Sequence, residues 1–182
     1  MEERNPKIMI AGMAGLLIIV AFFWILSTGK IGLFGFQLES ASRKTQQVEN
    51  SWQSIRAEEG SLTTLLFYNE DRDDYIYSLY INPPGFSFGY FFVAGGSEAS
   101  IGDGVLAVSY SSGESETYAL LSMNADQVAR VDMNSGDEIT HIELDPAEPF
   151  AVVLPSSSNL DGVTMYDLNG QPVAYKETVH QR

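Results

Sequence analysis

The sequence predicts a mainly β protein, an antiparallel β-sandwich of immunoglobulin-like or similar type, preceded by one transmembrane helix and a juxtamembrane helix. Three observations predict this class. An uncharged apolar run opens the chain, a segment with helical spacing follows it, and about nine strand-length segments bounded by turn residues fill the remainder. The boundaries are a short tail over 1–7, the transmembrane helix over 8–26, a linker and amphipathic helix over 27–60, and the β-sandwich domain over 61–182.

The apolar run from Ile8 to Leu26 contains 19 residues and no charge. As a helix it would be roughly 28 Å long, close to the roughly 30 Å of a bilayer's hydrocarbon core. Trp24 lies near its end, where an indole suits the membrane interface. A cleaved signal peptide is the alternative: no A-x-A site follows, although Ser27 and Gly29 would be a tolerable substitute.

Two small residues within this run, Ala11 and Gly15, form a small-xxx-small pair that could let two helices approach and form a homodimer. Small residues are frequent in such helices in any case. Basic residues flank the run almost equally, so they do not decide its orientation. The short tail and the long acidic remainder favour a cytoplasmic N-terminus and a C-terminal domain outside the cell.

The segment after the anchor has helical spacing, and Gly60 is a plausible terminator. Its apolar positions recur at intervals of three and four, as in a short heptad pattern: Leu38, Ala41, Thr45, Val48, Trp52 and Ile55. One interpretation is a coiled-coil stalk that dimerises the chain. The other is an amphipathic helix that packs Val48, Trp52 and Ile55 on its own domain. Either way these three residues are candidates for a partner or self-association surface.

The domain begins with strand patterns. Tyr75, Tyr77, Leu79 and Ile81 fall on one face at period two. After a turn at "NPPG", the same spacing places Phe86, Phe88, Tyr90 and Phe92 on one face of the next strand. Asn169-Gly170 predicts a closing β-hairpin.

A resemblance rests on "YSLYINPPGFSFGYFFVAGG", on "VARVDM" and on the terminal "VTMYDLNGQPVAY". With these segments the chain resembles a group of uncharacterised, membrane-anchored or secreted proteins of Gram-positive, Bacillus-like bacteria. The resemblance covers about two-thirds of the chain, and its motifs are structural. It implies an envelope location and a small β-sandwich, and it implies no catalytic residue.

The composition excludes several chemistries. There are no cysteines and only two histidines, so thiolate zinc sites, disulfides and cysteine nucleophiles are absent. The formal net charge is −14; residues 37–182 hold 7 basic and 22 acidic side chains, which gives 7 − 22 = −15. Such a domain repels nucleic acids and anionic headgroups. No cofactor is predicted.

The segment Gly85 to Gly89 matches G-x-S-x-G, the pattern of a serine nucleophile, with Ser87 at its centre. A nucleophile elbow needs a strand, a turn at the serine and then a helix. Here the turn precedes the serine and a β-forming run follows it. His141 could complete a triad through Asp126, Asp132 or Asp137, but it is better explained as an exposed strand residue. A serine hydrolase using Ser87 and His141 remains a minor alternative.

Four carboxylates in "NEDRDD" are weak calcium candidates: Glu70, Asp71, Asp73 and Asp74. They lack the glycine and the distal glutamate of a helical calcium loop, and acidic hairpin tips are common for solubility alone.

The function that the sequence favours is therefore a non-catalytic binding or accessory domain, anchored in the membrane and docked on another envelope protein. A sensory ectodomain that signals through the bilayer is the alternative. Only residues 1–7 would lie inside the cell, too few for a signalling domain. The binding hypothesis predicts an exposed apolar patch of at least several hundred Å².

Overall fold

The computed structural model describes Ile19 and residues 31–83, 88–112, 115–135, 138–156 and 158–181. Strands make up 53% of the structure and the sheets are antiparallel with one exception, which confirms the predicted mainly β class. The helices and strands are, in chain order, α1 (Leu38–Gln46), β1 (Gln53–Glu59), β2 (Leu62–Tyr68), β3 (Tyr75–Ile81), β4 (Phe91–Gly96), α2 (Ala99–Asp103), β5 (Val105–Ser112), β6 (Ser115–Ser122), β7 (Val128–Ser135), β8 (Glu138–Glu143), β9 (Phe150–Val153), β10 (Val163–Asp167), β11 (Pro172–Val173) and β12 (Tyr175–Gln181). Short 3-10 turns lie at Gly35–Gln37 and Leu160–Gly162.

The strands form three four-stranded sheets. Sheet I has the order β1-β2-β3-β4, sheet II the order β12-β5-β6-β9, and sheet III the order β11-β10-β7-β8. Among the strands named above, the one parallel pair joins β12 to β5, with Tyr175 opposite Val105. The sequence predicts about nine strands. The structure adds the edge strand β1, and it divides the second half of the final hairpin into β11 and β12.

The sheets stack so that sheet II lies in the middle. Its residues Leu106, Val108, Ala119 and Leu121 pack against the inner face of sheet I. The alternate residues of the same strands, among them Ala107 and Leu120, pack against sheet III. Strands buried on both faces read as continuous apolar runs, which is why "GVLAVSY" and "TYALLSM" lack polar alternation. Each adjoining pair of sheets packs as a β-sandwich, so the described domain has three layers where a simple sandwich has two.

The outer face of sheet I is covered by α1 and the loop that follows it. Leu38 and Val48 pack there on Leu65, Phe67 and Tyr80. A buried hydrogen bond joins this helix to the sheet, since the Ser42 hydroxyl donates to Ser78 Oγ at 2.6 Å.

The predicted helix over 38–59 is wrong in its second half. Gln47 adopts a left-handed conformation with φ of 58°, and the helix ends there. The Arg43 guanidinium then donates to the carbonyls of Glu49 at 2.8 Å and Trp52 at 3.0 Å, which turns the chain back toward the sheet. Ile55 lies on β1, so the six heptad positions do not share a helix and the coiled-coil interpretation fails. Gly60 lies in the tight β1–β2 turn instead of ending a helix.

The hairpin predicted at Asn169-Gly170 is confirmed. Gly170 has φ of 75°, and Asp167 Oδ1 accepts hydrogen bonds from the backbone N–H groups of Asn169 at 2.8 Å and Gln171 at 2.7 Å. Its second strand is only Pro172–Val173, because the chain then crosses from sheet III to sheet II as β12.

The β6–β7 loop is organised by Asn124, which is buried with φ of 61°. Its Oδ1 accepts from Val128 N at 2.7 Å. Its Nδ2 donates to three carbonyls, those of Val128, Asp145 and Glu148, at 3.1–3.2 Å. One side-chain amide thus holds two loops together.

Within the described ranges, no helix is both long and apolar enough to cross a membrane. The apolar run Ile8–Leu26 lies outside the described residues except for Ile19, so the anchor stays a prediction.

Candidate functional site

An exposed cluster of large apolar side chains lies where the described domain begins. Its members are Ile31 (37% exposed), Phe34 (55%), Phe36 (82%) and Phe88 (63%). These four residues are called the aromatic face below. Ile31 pairs with Phe88 through a β-bridge, and the rings of Phe34 and Phe36 stack with centroids 5.8 Å apart and planes 5° apart.

The size of the aromatic face sets it apart from scattered surface hydrophobics. A fully exposed aromatic side chain presents roughly 200 Å². At the exposures given above, the three phenylalanines alone leave on the order of 400 Å² in water. That matches the largest apolar patch of a typical monomer, about 300–600 Å², which is often functional. The aromatic face is therefore the candidate for the exposed apolar patch that the binding hypothesis predicts.

The backbone of the aromatic face is fixed by hydrogen bonds. The Phe34 N–H donates to Gln37 Oε1 at 3.0 Å, and the Gln37 N–H donates to the Phe34 carbonyl at 2.8 Å. Arg56 Nη1, from β1, donates to the Gly35 carbonyl at 2.8 Å. These hydrogen bonds fix the backbone of the turn, and the rings of Phe34 and Phe36 are exposed on it.

A polar pair borders this turn. Arg56 also forms an ion pair with Glu58, and the Tyr90 hydroxyl donates to the same carboxylate at 2.9 Å. The hydrogen bond from Arg56 and then that from Tyr90 hold the pKa of Glu58 below its usual value. Because the two charges neutralise each other, this pair adds no net charge beside the aromatic face.

Two glycines let the segments of the aromatic face approach closely. A Cβ on Gly32 would lie 2.4 Å from the Tyr90 carbonyl oxygen. Gly89 has φ of 89°, and a Cβ there would lie 2.6 Å from the Leu33 carbonyl oxygen. The bridges between 31–33 and 88–90 depend on both positions.

The prediction that Phe88 and Phe92 share one face of a continuous strand is wrong. Phe88 belongs to the aromatic face, and Phe92 is 45% exposed with its ring edge-on to Tyr80. The left-handed Gly89 breaks the strand before β4, so the period-two alternation assumed across this stretch does not hold. On β3 the alternation is correct, because Tyr77, Leu79 and Ile81 pack into the core between sheets I and II.

The residues proposed as a self-association surface do not lie together. Val48 is buried and Trp52 half-buried under the helix on the outer face of sheet I. Ile55 packs on the opposite face, toward sheet II. Ala11 and Gly15 lie outside the described residues, so their role stays a prediction.

The calcium candidates lie beside a shallow polar pocket of about 400 Å³. Glu70, Asp71 and Asp74 line it together with Glu49 and Trp52. Asp73 instead accepts a hydrogen bond from the Asn69 amide. In the part of the chain that the structure describes, no three His, Asp or Glu side chains are grouped to hold a metal ion. Calcium binding stays the weak hypothesis that the sequence alone suggests.

His141 is exposed on β8, as expected, and is paired with one of the three acids considered for a triad. Its Nδ1 lies 2.9 Å from Asp132 Oδ1, directly across the β7–β8 ladder. The same oxygen lies 2.8 Å from Arg130 Nε, whose guanidinium also stacks over the Tyr166 ring. Asp132 therefore serves a surface ion pair. Ser87 and Asp137 lie outside the described residues.

No family model, curated protein or solved structure matches this chain. The resemblance to the Bacillus-like envelope proteins stays a prediction.

Sequence reasoning missed Ile31, Phe34 and Phe36 as candidate site residues. A signal was available in "IGLFGF", where phenylalanines alternate with glycines directly after the apolar run. Glycines bordering large apolar residues favour turns, and a turn exposes its side chains more often than a strand does.

Proposed function

We propose that this protein is an accessory domain of the cell envelope that acts by binding and catalyses no reaction. Residues 8–26 serve as a single-pass anchor, and the β-sandwich domain, of immunoglobulin-like or similar type, lies outside a Gram-positive cell. Its partners are the bilayer and another envelope component, with an envelope protein as the first expectation from the sequence.

The observation that carries this proposal is the aromatic face. A soluble monomer gains nothing from two phenylalanines exposed on a hydrogen-bonded turn and a third on the segment bridged to Ile31, whereas a binding domain gains a preformed apolar contact. Preorganisation of this kind lowers the entropy that is lost on binding.

The layer order supports binding over hydrolysis. Phe88, which follows Ser87 in the chain, bridges to Ile31 beside sheet I. His141 belongs to sheet III, and sheet II lies between the two. Stacked sheets are about 10 Å apart, so His141 lies on the far side of sheet II from Phe88, where its imidazole is occupied by Asp132.

Cysteine labelling of the full-length chain tests the proposal, because the chain has no cysteine of its own. Phe36→Cys places a thiol on the aromatic face, and Leu168→Cys places one at the β10–β11 turn, where the side chain is 59% exposed. In intact cells a membrane-impermeant maleimide should label position 168, which shows that the domain is outside, and should label position 36 poorly.

The comparison with solubilised and denatured protein supplies the control. Both thiols should react fully once the chain is unfolded in detergent. Equal labelling of the two positions in cells would show an uncovered aromatic face and would contradict the binding role. Labelling of neither position until the cells are lysed would contradict the external location.

A further inference from the structure

We infer that the aromatic face inserts into the interfacial layer of the bilayer that holds the anchor, so that the domain rests on lipid in one fixed orientation. The inference rests on the proposed function, since it takes residues 8–26 as the transmembrane segment. It makes a lipid surface the occupant of the aromatic face, in place of the envelope protein that the sequence first suggests.

The chain that joins the apolar run to the aromatic face is short. Leu26 ends the apolar run and Ile31 begins the aromatic face, five positions later. Five residues span at most about 18 Å when fully extended. The headgroup layer on each side of the hydrocarbon core is roughly 5–8 Å thick. The aromatic face is therefore confined near the membrane surface by the chain that precedes it.

The form of the aromatic face suits insertion into the membrane interface. Phe36 and Phe34 project from one tight turn, and Phe88 projects from the segment bridged to Ile31. Interfacial segments bury such side chains roughly 5–10 Å into the boundary between headgroups and acyl chains. A narrow wedge of stacked rings fits that depth, and the turn that carries it keeps its backbone groups paired at Phe34, Gly35 and Gln37.

The charge of the domain bears on how it can bind a membrane. The remainder of the domain is strongly acidic, so anionic headgroups do not attract it. Insertion must come from apolar burial, and the border of the aromatic face permits this because Arg56 and Glu58 neutralise each other. Binding of this kind does not require anionic lipid and is insensitive to salt, unlike that of a basic patch.

Contact at two points, the anchor and the aromatic face, sets the orientation of the domain. The end of sheet I at which β4 begins then faces the lipid. Leu168 lies at a turn of sheet III, which sheet II separates from sheet I, and it serves as the reference position.

Spin labelling in lipid nanodiscs tests the inference. Full-length Phe36→Cys and Leu168→Cys chains, each carrying a nitroxide, are reconstituted at one chain per disc in zwitterionic lipid with no other protein. Accessibility is measured to oxygen, which concentrates in lipid, and to a water-soluble nickel chelate. We expect loss of nickel accessibility at position 36 relative to position 168, and no dependence on salt.

Two further variants define what protects the label. Adding Phe34→Ser and Phe88→Ser to the Phe36→Cys chain should restore nickel accessibility. The matched pair Ile139→Ser and Val179→Ser, at exposed apolar residues of β8 and β12, should leave the protection unchanged.

The outcomes separate this inference from the proposed function. Protection in the discs that the aromatic variants remove supports insertion into lipid. A label that is water-accessible in discs but protected in native membranes overturns insertion and assigns the aromatic face to a protein partner or a second copy, while the binding role stands. A label accessible in both overturns the inference and the proposed function together.

Discussion

Replacing Asn124 by alanine should lower the free energy of unfolding by about 3–7 kcal/mol, because one buried amide supports both loops at this end of sheets II and III. The substitution removes the side-chain partner of the Val128 N–H and of the Glu148 carbonyl, whereas the Asp145 carbonyl still accepts from the Glu148 N–H at 3.2 Å. Each buried backbone group left unpaired costs about 1–3 kcal/mol. Alanine also adds about 1 kcal/mol for the left-handed backbone at φ of 61°.

Two companion variants separate these contributions. Asn124→Gly removes the amide but tolerates the left-handed backbone, so it should be about 1 kcal/mol more stable than Asn124→Ala. Asn124→Asp keeps the acceptor toward Val128 but turns a second oxygen toward three carbonyls. At neutral pH it should be at least as unstable as Asn124→Ala, although aspartate is nearly the same size.

Urea unfolding of the full-length chain, followed by the fluorescence of the half-buried Trp52, measures these differences. A loss of less than about 1 kcal/mol in Asn124→Ala would show that water replaces the amide without cost. An Asn124→Asp chain clearly more stable than Asn124→Ala would refute the assignment of the three donor contacts.

Three further outcomes are expected. Burial, and to a smaller extent the charge of Glu98, raises the pKa of Tyr77 to about 12. The folded state therefore holds this proton more tightly than the unfolded chain, in which the tyrosine pKa is about 10. The stability that this contributes is fully present below pH 10 and is lost as the pH rises toward 12. Urea titrations across this range should show the loss, and Tyr77→Phe should reduce it. Millimolar calcium should leave the thermal unfolding midpoint unchanged; a rise that Asp71→Asn abolishes would establish a calcium site. A fluorophosphonate probe should not label the chain, and labelling that Ser87→Ala removes would restore the hydrolase hypothesis.

The strands were predictable wherever the sequence carries local patterning. "LTTLLFY" and "YIYSLYI" are β2 and β3 within a residue, and Asn169-Gly170 marks the hairpin turn. These features depend on neighbours in sequence, on β-branched and aromatic residues between turn formers, and on a glycine that accepts positive φ.

The helix end was not predictable, because distant contacts decide it. Glutamine is not a typical left-handed cap, yet Gln47 adopts that conformation while Arg43 binds carbonyls six and nine positions further along. A regular spacing of apolar residues therefore continued past the point at which the helix stops. The same limitation applies to β12, whose parallel partner lies far back in the chain.

The sequence indicated an apolar patch as the kind of candidate site, but it did not indicate where the patch lies. Composition and charge favoured binding over catalysis, and an apolar patch was expected. Its location depends on the bridge between Ile31 and Phe88, which requires Gly32 and Gly89 to approach without side chains. Nothing in the local pattern of either segment indicates the other as its partner.

The parallel pairing of β12 with β5 also determines when the domain can close. Tyr175 meets Val105 across 70 positions of chain, and until it does, β5 is an open edge whose side chains Leu106, Ala107 and Val108 are all destined for the interior. Such an edge is a template for pairing with other chains, and contacts of this sequence separation form slowly. Sheet II can therefore be completed only after β12 has been synthesised, so the interval before that moment is when the protein most needs protection from aggregation.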